Sequence, residues 1–314
     1  MPKNGEDIKK VVCGPKHHNI IIMGVKEILL WKLAPCVVVA IAASIGWIGS
    51  HEFPIGVMFA TMIPLSRGIF PATIVGHGKM QGTPLVPDDL LPQPRPKDEL
   101  FLDLPGGYKF PQQGLGMCCR ATAYDDVLVY RTVLWFLLLG GRHIDGAHLY
   151  LNHVAIGKAI SEAIRRGIPR EEIFITTKIF PTHFGYESAK TNVKKYLQEL
   201  NVDYIDMVLL HFPNSPPLFS SPCKKEGKTP SQCREETWRA LSDLREDGII
   251  KNVGVSNFSL KHLQELQGIG APIANNQIQF HPFEPDYVVD TVNYCQKNGI
   301  VVTAYSPLGL VDKL

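Results

Sequence analysis

The chain has 314 residues, 45% hydrophobic and 20% charged, and its 32 Lys+Arg against 30 Asp+Glu leave a formal charge of +2. That composition excludes a disordered chain, which is poorer in apolar residues or further from neutrality, and a polytopic transporter, whose mean hydropathy lies well above +0.01. Near-neutrality also gives no electrostatic footprint for nucleic acid.

The average hides an uneven chain. Residues 1–32 form a basic, polar N-terminus. Leu33 to Ser50 then runs without a charged side chain, and Phe53 to Gly78 carries only Arg67. A charge-free run of that length is near the lower limit for crossing ~30 Å of hydrocarbon at ~1.5 Å per residue. Trp31 and Trp47 flank it as interfacial aromatics do. Residues 33–78 are therefore expected to hold one membrane segment or two, although Pro54, Pro64 and Pro71 disfavour a regular second helix. One pass places the remainder in a lumen; two return it to the cytosol. Residues 79–109, with Pro84, Pro87, Pro92, Pro94, Pro96 and Pro105, read as an extended linker.

From residue 110 to 314 apolar, β-branched runs alternate with helical stretches. The expected strands are 114–118, 143–147, 173–179, 205–212, 249–257, 275–281 and 300–306. The clearest helices are 152–166, 187–200, 235–247, 260–267 and 286–298, and the apolar Thr132–Gly141 reads as the first barrel helix. Such alternation predicts a parallel sheet, either a (β/α)8 barrel or a doubly wound sheet. No GxGxxG follows an early strand. Polar residues collect instead at the C-terminal ends of several strands, where a barrel converges on one mouth.

Four of those residues suit carbonyl chemistry. A Tyr phenol near pKa ~10 is a poor acid unless a neighbouring Lys favours its phenolate. Lys178 can serve Tyr150 in that way, and Asp145 can keep Lys178 charged. His211 can donate to a substrate oxygen. A hydride is missing from this set, and a nicotinamide cofactor supplies one.

The stretches GRHIDGAHLYLN (141–152), GIPREEIFITTKIF (167–180), VDYIDMVLLHFP (202–213), TWRALSDLREDGIIKNVGVSNFS (237–259), NNQIQFHP (275–282) and GIVVTAYSPLG (299–309) resemble the aldo-keto reductases. That family consists of NAD(P)H-dependent (β/α)8 TIM-type barrels. The resemblance implies a catalytic tetrad of Tyr150, Asp145, Lys178 and His211, with Tyr150 as the proton donor. It implies that Ser256, Asn257 and Gln277 bind the nicotinamide carboxamide, that Tyr305 stacks on the ring, and that Ser306 and Leu308 line the pyrophosphate path. NADP(H), or else NAD(H), is the implied cofactor, and a small aldehyde or ketone the implied substrate. The family's eighth strand and its adenosine-phosphate segment would follow residue 314, so the barrel is expected to be incomplete at its C-terminus. His153 stands where the family usually has an acidic residue.

No cysteine spacing suits zinc. Cys223 and Cys233, in the loop after the fourth strand, would pair in a lumen and stay thiols in a cytosol. The expectation is a membrane-associated reductase with its barrel facing the cytosol. The alternative is a catalytically impaired, cofactor-binding regulatory protein at the membrane.

Overall fold

The computed structural model describes residues 91–97, 100–119, 121–215, 219–282 and 285–307. The hydrophobic runs of residues 33–78, read above as membrane segments, lie outside them. Among the described residues no helix is long and apolar enough to cross a membrane.

A short antiparallel hairpin comes first, β1 (Phe101–Asp103) and β2 (Lys109–Pro111). Seven parallel strands follow: β3 (Leu115–Gly116), β4 (His143–Asp145), β5 (Phe174–Ile179), β6 (Ile205–Leu210), β7 (Ile250–Ser256), β8 (Asn275–Gln279) and β9 (Val301–Tyr305). They pair in strict sequence order, β3 to β9. The sheet curls into a nearly closed barrel, because Gln277 on β8 reaches across the interior to bond Asp145 on β4.

The helices between the strands are α1 (Asp126–Leu138), α2 (His153–Arg165), α3 (Tyr186–Leu200), α4 (Pro222–Lys225), α5 (Pro230–Glu246), α6 (Leu260–Leu266) and α7 (Asp286–Lys297). Sequence chemistry sets their ends. Asp125 caps α1, its carboxylate accepting from the Val127 and Leu128 amides at 2.9 and 3.1 Å. Thr229 and Gln232 form a capping box ahead of α5, with Pro230 in its first turn. α2 buries Ile156 and Ile160 one turn apart. Its Gly157 lets α3 approach, since a Cβ there would lie 2.5 Å from the Leu200 carbonyl oxygen.

Strand parity divides the core. On β5, Ile175 and Ile179 face the helices, while Phe174, Thr176 and Lys178 alternate with them inward. The larger core lies between strands and helices. A smaller one fills the barrel floor, at the N-terminal strand ends, with Leu104, Phe110, Phe174, Met207, Leu209 and Ala274. Leu104 and Phe110 come from the hairpin segment, which covers this end.

Three expectations change. The extended linker does not run to residue 109; the hairpin occupies 101–111, because Leu104 and Phe110 find apolar partners on the barrel floor. The first barrel helix begins at Asp126 rather than Thr132, drawn forward by the Asp125 cap. The loop after the fourth strand contains α4, and α5 starts five residues before Glu235, at the Thr229 cap.

Candidate active site

The C-terminal strand ends gather the predicted residues in one mouth. Asp145 is the last residue of β4, and Lys178 is the fifth of β5. Tyr150 closes a 3-10 turn, His148–Tyr150, that follows β4, and Leu151 leaves that turn in the left-handed region at φ 58°. The Asn152 amide fastens the next step by donating to the Met117 and Ala123 carbonyls at 2.9 and 3.1 Å. His211 is the first residue beyond β6.

Lys178 is fully buried and satisfied at three points. Its ammonium donates to Asp145 at very short range, to the Gly146 carbonyl at 2.9 Å, and to the Tyr150 hydroxyl at 3.3 Å. Burial alone would lower the Lys178 pKa, but Asp145 and Tyr150 outweigh it and hold it above its ordinary value. The ammonium therefore stays charged inside the barrel. Tyr150 shows the opposite balance: burial raises its pKa and Lys178 only partly pulls it back. Lys178 does not lower this pKa outright, as its charge alone would, because an 8% exposed phenol is desolvated too strongly for that. At neutral pH Tyr150 is accordingly a phenol with its proton in place.

His211 is held neutral, first by burial and then by the nearby Lys178 charge. Its ring stacks on Phe212 at 4.6 Å between centroids and meets Tyr150 edge-on at 5.8 Å. Its Nδ1 is buried without a hydrogen-bond partner in the structure. A buried, unpartnered ring nitrogen carries a desolvation cost that a ligand atom can offset.

The predicted nicotinamide residues interlock beside the tetrad. The Asn257 amide donates to the His211 carbonyl at 3.0 Å and to Ser256 Oγ at 3.1 Å. Ser256 donates to the Gln277 carbonyl at 2.9 Å, Gln277 donates to Asp145, and the Tyr305 hydroxyl donates to Asn257 Oδ1 at 2.7 Å. Asn257 occupies the left-handed region at φ 62°, which Asn tolerates better than most residues. Ser256, Asn257 and Gln277 thus bring a hydroxyl and two amides to adjacent strand ends, a donor and acceptor set that fits a carboxamide. Ser306 follows directly after β9, half-buried. Leu308 lies outside the described residues.

Sequence reasoning missed an aromatic wall. Phe180 faces Phe212 at 6.2 Å and Phe219 at 6.4 Å, and it meets the His211 ring at 6.1 Å, each edge-on. Phe180 lies two residues after Lys178, and Phe212 directly after His211, so position relative to the tetrad could have marked both. It also missed the packing behind the turn that carries Tyr150. His148 stacks on Tyr196 and lies 4.6 Å from His183. Burial, then the neighbouring His183 and His153, bring its pKa down to about 4. His153, the departure from the acidic residue, joins Thr177 at 2.8 Å and Glu199 at 2.9 Å, so the acidic partner sits on α3 instead.

The aldo/keto reductase family model matches residues 106–312. Glycerol 2-dehydrogenase (NADP(+)) of Saccharomyces cerevisiae is 37% identical over 227 residues, 68% of this chain and 69% of that protein. Aldo-keto reductase family 1 member A1 of Rattus norvegicus is 34% identical over 214 residues, 66% and 64% respectively. Among solved structures, an aldo/keto reductase from Brucella melitensis superposes with a TM-score of 0.57 at 32% identity, covering 68% of this chain and 75% of that one. A Bombyx mori aldo-keto reductase in complex with NADP gives 0.57 at 29% identity, with 66% of each chain covered. The chain therefore spans only part of each relative's length. The family model, which covers more than half of the chain, and these likenesses carry one conclusion: this chain belongs to the aldo/keto reductase family.

Proposed function

We propose that this chain is an NADP(H)-dependent reductase of aldehydes or ketones, with Tyr150 as its proton donor. The observation that carries this reading is the buried relay from Asp145 through Lys178 to the Tyr150 hydroxyl, with His211 beside it.

Ser256, Asn257 and Gln277 would hold the nicotinamide carboxamide, and the Tyr305 ring would pack against it. When bound, the cofactor supplies the hydride that reduces the carbonyl carbon. The chain's own residues do the rest. His211, neutral, donates a hydrogen bond to the carbonyl oxygen and orients it towards Tyr150. As negative charge grows on that oxygen, Tyr150 passes its hydroxyl proton to it. The Lys178 ammonium stabilises the phenolate left behind, and Asp145 keeps that ammonium charged. Water returns the proton to Tyr150 after the alcohol leaves. Phe180, Phe212 and Phe219 exclude water and offer an apolar wall, which favours a substrate with a hydrophobic body and a single carbonyl.

The test follows NADPH absorbance with a panel of aliphatic and aromatic aldehydes. Wild-type chain turns over at least one class, and Tyr150→Phe loses roughly 10²–10⁴-fold in kcat while keeping its fold. Equal turnover in Tyr150→Phe overturns the assignment.

We propose further that residues 33–78 attach the chain to a membrane, with the barrel in the cytosol, where NADPH is supplied. The charge-free run from Leu33 to Ser50 and the lysine-rich lead support this. Alkaline carbonate extraction should leave the chain in the membrane pellet, and added protease should digest the barrel in sealed cytosol-side-out vesicles. Release by carbonate, or protection of the barrel, contradicts it.

A further inference from the structure

A crosslinked node joins α4 to α5. Cys223, the second residue of α4, and Cys233, in the first turns of α5, are both buried and joined as a disulfide, with Cα atoms 5.7 Å apart. That separation lies within the ordinary disulfide range. The node also touches the β5–α3 connection. A Cβ at Gly185, which sits at φ 117°, would meet the Cys223 Cβ at 3.2 Å. The Gly185 amide donates to Thr237 Oγ1 at 2.9 Å, and that hydroxyl donates to the Cys233 carbonyl at 2.7 Å.

Two aromatic residues of the wall depend on segments that end here. Phe180 opens the connection that ends at Gly185, and Phe219 lies four residues before Cys223. α4 has only four residues, far too few to hold a helical turn by propensity. Its backbone bonds are local, from the Lys225 amide to Ser221 and from the Glu226 amide to Pro222, and beside the Ser221 cap on Lys224, at 3.1 Å, the bond to Cys233 ties it to α5.

We propose that the Cys223–Cys233 bond is a redox-sensitive positioning element that fixes Phe219 against Phe180, so that thiol–disulfide poise sets how well the mouth accepts bulky hydrophobic carbonyl substrates. The proposal rests on the reductase reading for its substrate effect. Formation is a two-electron exchange. One cysteine thiolate attacks a low-molecular-weight disulfide and releases one thiol; the second cysteine attacks that mixed disulfide and releases the other. Two protons leave the protein thiols and end on the two released thiols. A dithiol reverses the change. In a reducing compartment the pair rests open and closes under oxidative load.

The test uses the full chain equilibrated with oxidised glutathione or with dithiothreitol, beside a Cys223→Ser/Cys233→Ser double variant. Non-reducing peptide mapping identifies the 223–233 crosslink. The oxidised form is expected to bind a bulky aromatic aldehyde with a KM roughly 3- to 10-fold lower than the reduced form and the variant, the range expected from preordering about one side chain. KM for propanal, kcat for both substrates and the NADPH dissociation constant should change little. Limited proteolysis should cut between residues 213 and 222 faster in the reduced form and the variant. Equal KM values for the bulky aldehyde in both redox states overturn the proposal, as does failure of the crosslink to form. If no aldehyde turns over in any state, the reductase reading falls by itself. Proteolysis then decides the positioning role, and equal cutting in both redox states overturns it.

Discussion

The two ends of the barrel interior solve opposite problems. The floor is apolar: Phe110 and Phe174 meet edge-on at 5.0 Å, with Leu104, Met207, Leu209 and Ala274 around them. His143 enters this layer, where its Nε2 pairs with Thr176 at 2.9 Å and its ring packs against both Phe rings. The mouth, two residues further along β4 and four along β5, buries Asp145, Lys178, Tyr150, His211, Asn257 and Gln277 together. Stability favours the first arrangement, because burying charge costs several kcal/mol per ion unless the geometry is excellent. The mouth retains its charges where a carbonyl oxygen would need a proton and a field. On the function proposed above, the floor serves stability and the mouth serves chemistry.

The largest effect should come from separating the buried ion pair. Lys178→Met leaves Asp145 buried without its cation, which should cost about 3–5 kcal/mol in denaturant unfolding and abolish turnover. A variant that unfolds like wild type would place the pair outside the stable core. Phe110→Ala should lose about 3–5 kcal/mol by opening a cavity in the floor while leaving kcat nearly unchanged in the folded protein. A matching fall in kcat would break the division of labour between floor and mouth.

Acid should act through buried histidine. Burial lowers the His143 pKa to about 4, chiefly by desolvation, against an ordinary value near 6.5. An unfolded chain takes up this proton below about pH 6.5, whereas the folded one refuses it until about pH 4. The stabilisation is therefore complete above pH 6.5 and is lost as pH falls towards 4. It amounts to on the order of 3 kcal/mol, with His148 adding in the same direction. Unfolding free energies at pH 7.5 and pH 5 should differ by roughly 2 kcal/mol from His143 alone, and His143→Gln should flatten the slope. The smallest expected change is Thr229→Ala, which removes the α5 capping box and should cost about 1 kcal/mol without touching turnover.

The seven parallel strands, and the convergence of Asp145, Tyr150, Lys178 and His211 at one end of them, were legible because their signals are local. Continuous apolar runs mark strands buried on both faces, and each polar residue that ends such a run marks the mouth. The hairpin was hidden, because residues 101–111 are short, Pro-flanked and charged. Only the floor they cover reveals why Leu104 and Phe110 turn inward. The aromatic wall was hidden for a related reason. Phe180, Phe212 and Phe219 come from two connections, and loop residues have no periodicity that predicts which ones converge. The sign of the Tyr150 shift was misjudged because residue type shows a neighbouring charge, whereas desolvation depends on how tightly the third dimension closes around the phenol.

The central claim is that Tyr150 completes a hydride reduction at this mouth. The most direct measurement supplies the full chain with NADPH deuterated at C4 of the nicotinamide and an aromatic aldehyde, then reads the alcohol by mass spectrometry. The account predicts one deuterium on the carbinol carbon with wild-type protein, and almost no labelled alcohol with Tyr150→Phe. Unlabelled alcohol from the wild type, or equal labelled product from both proteins, would contradict it.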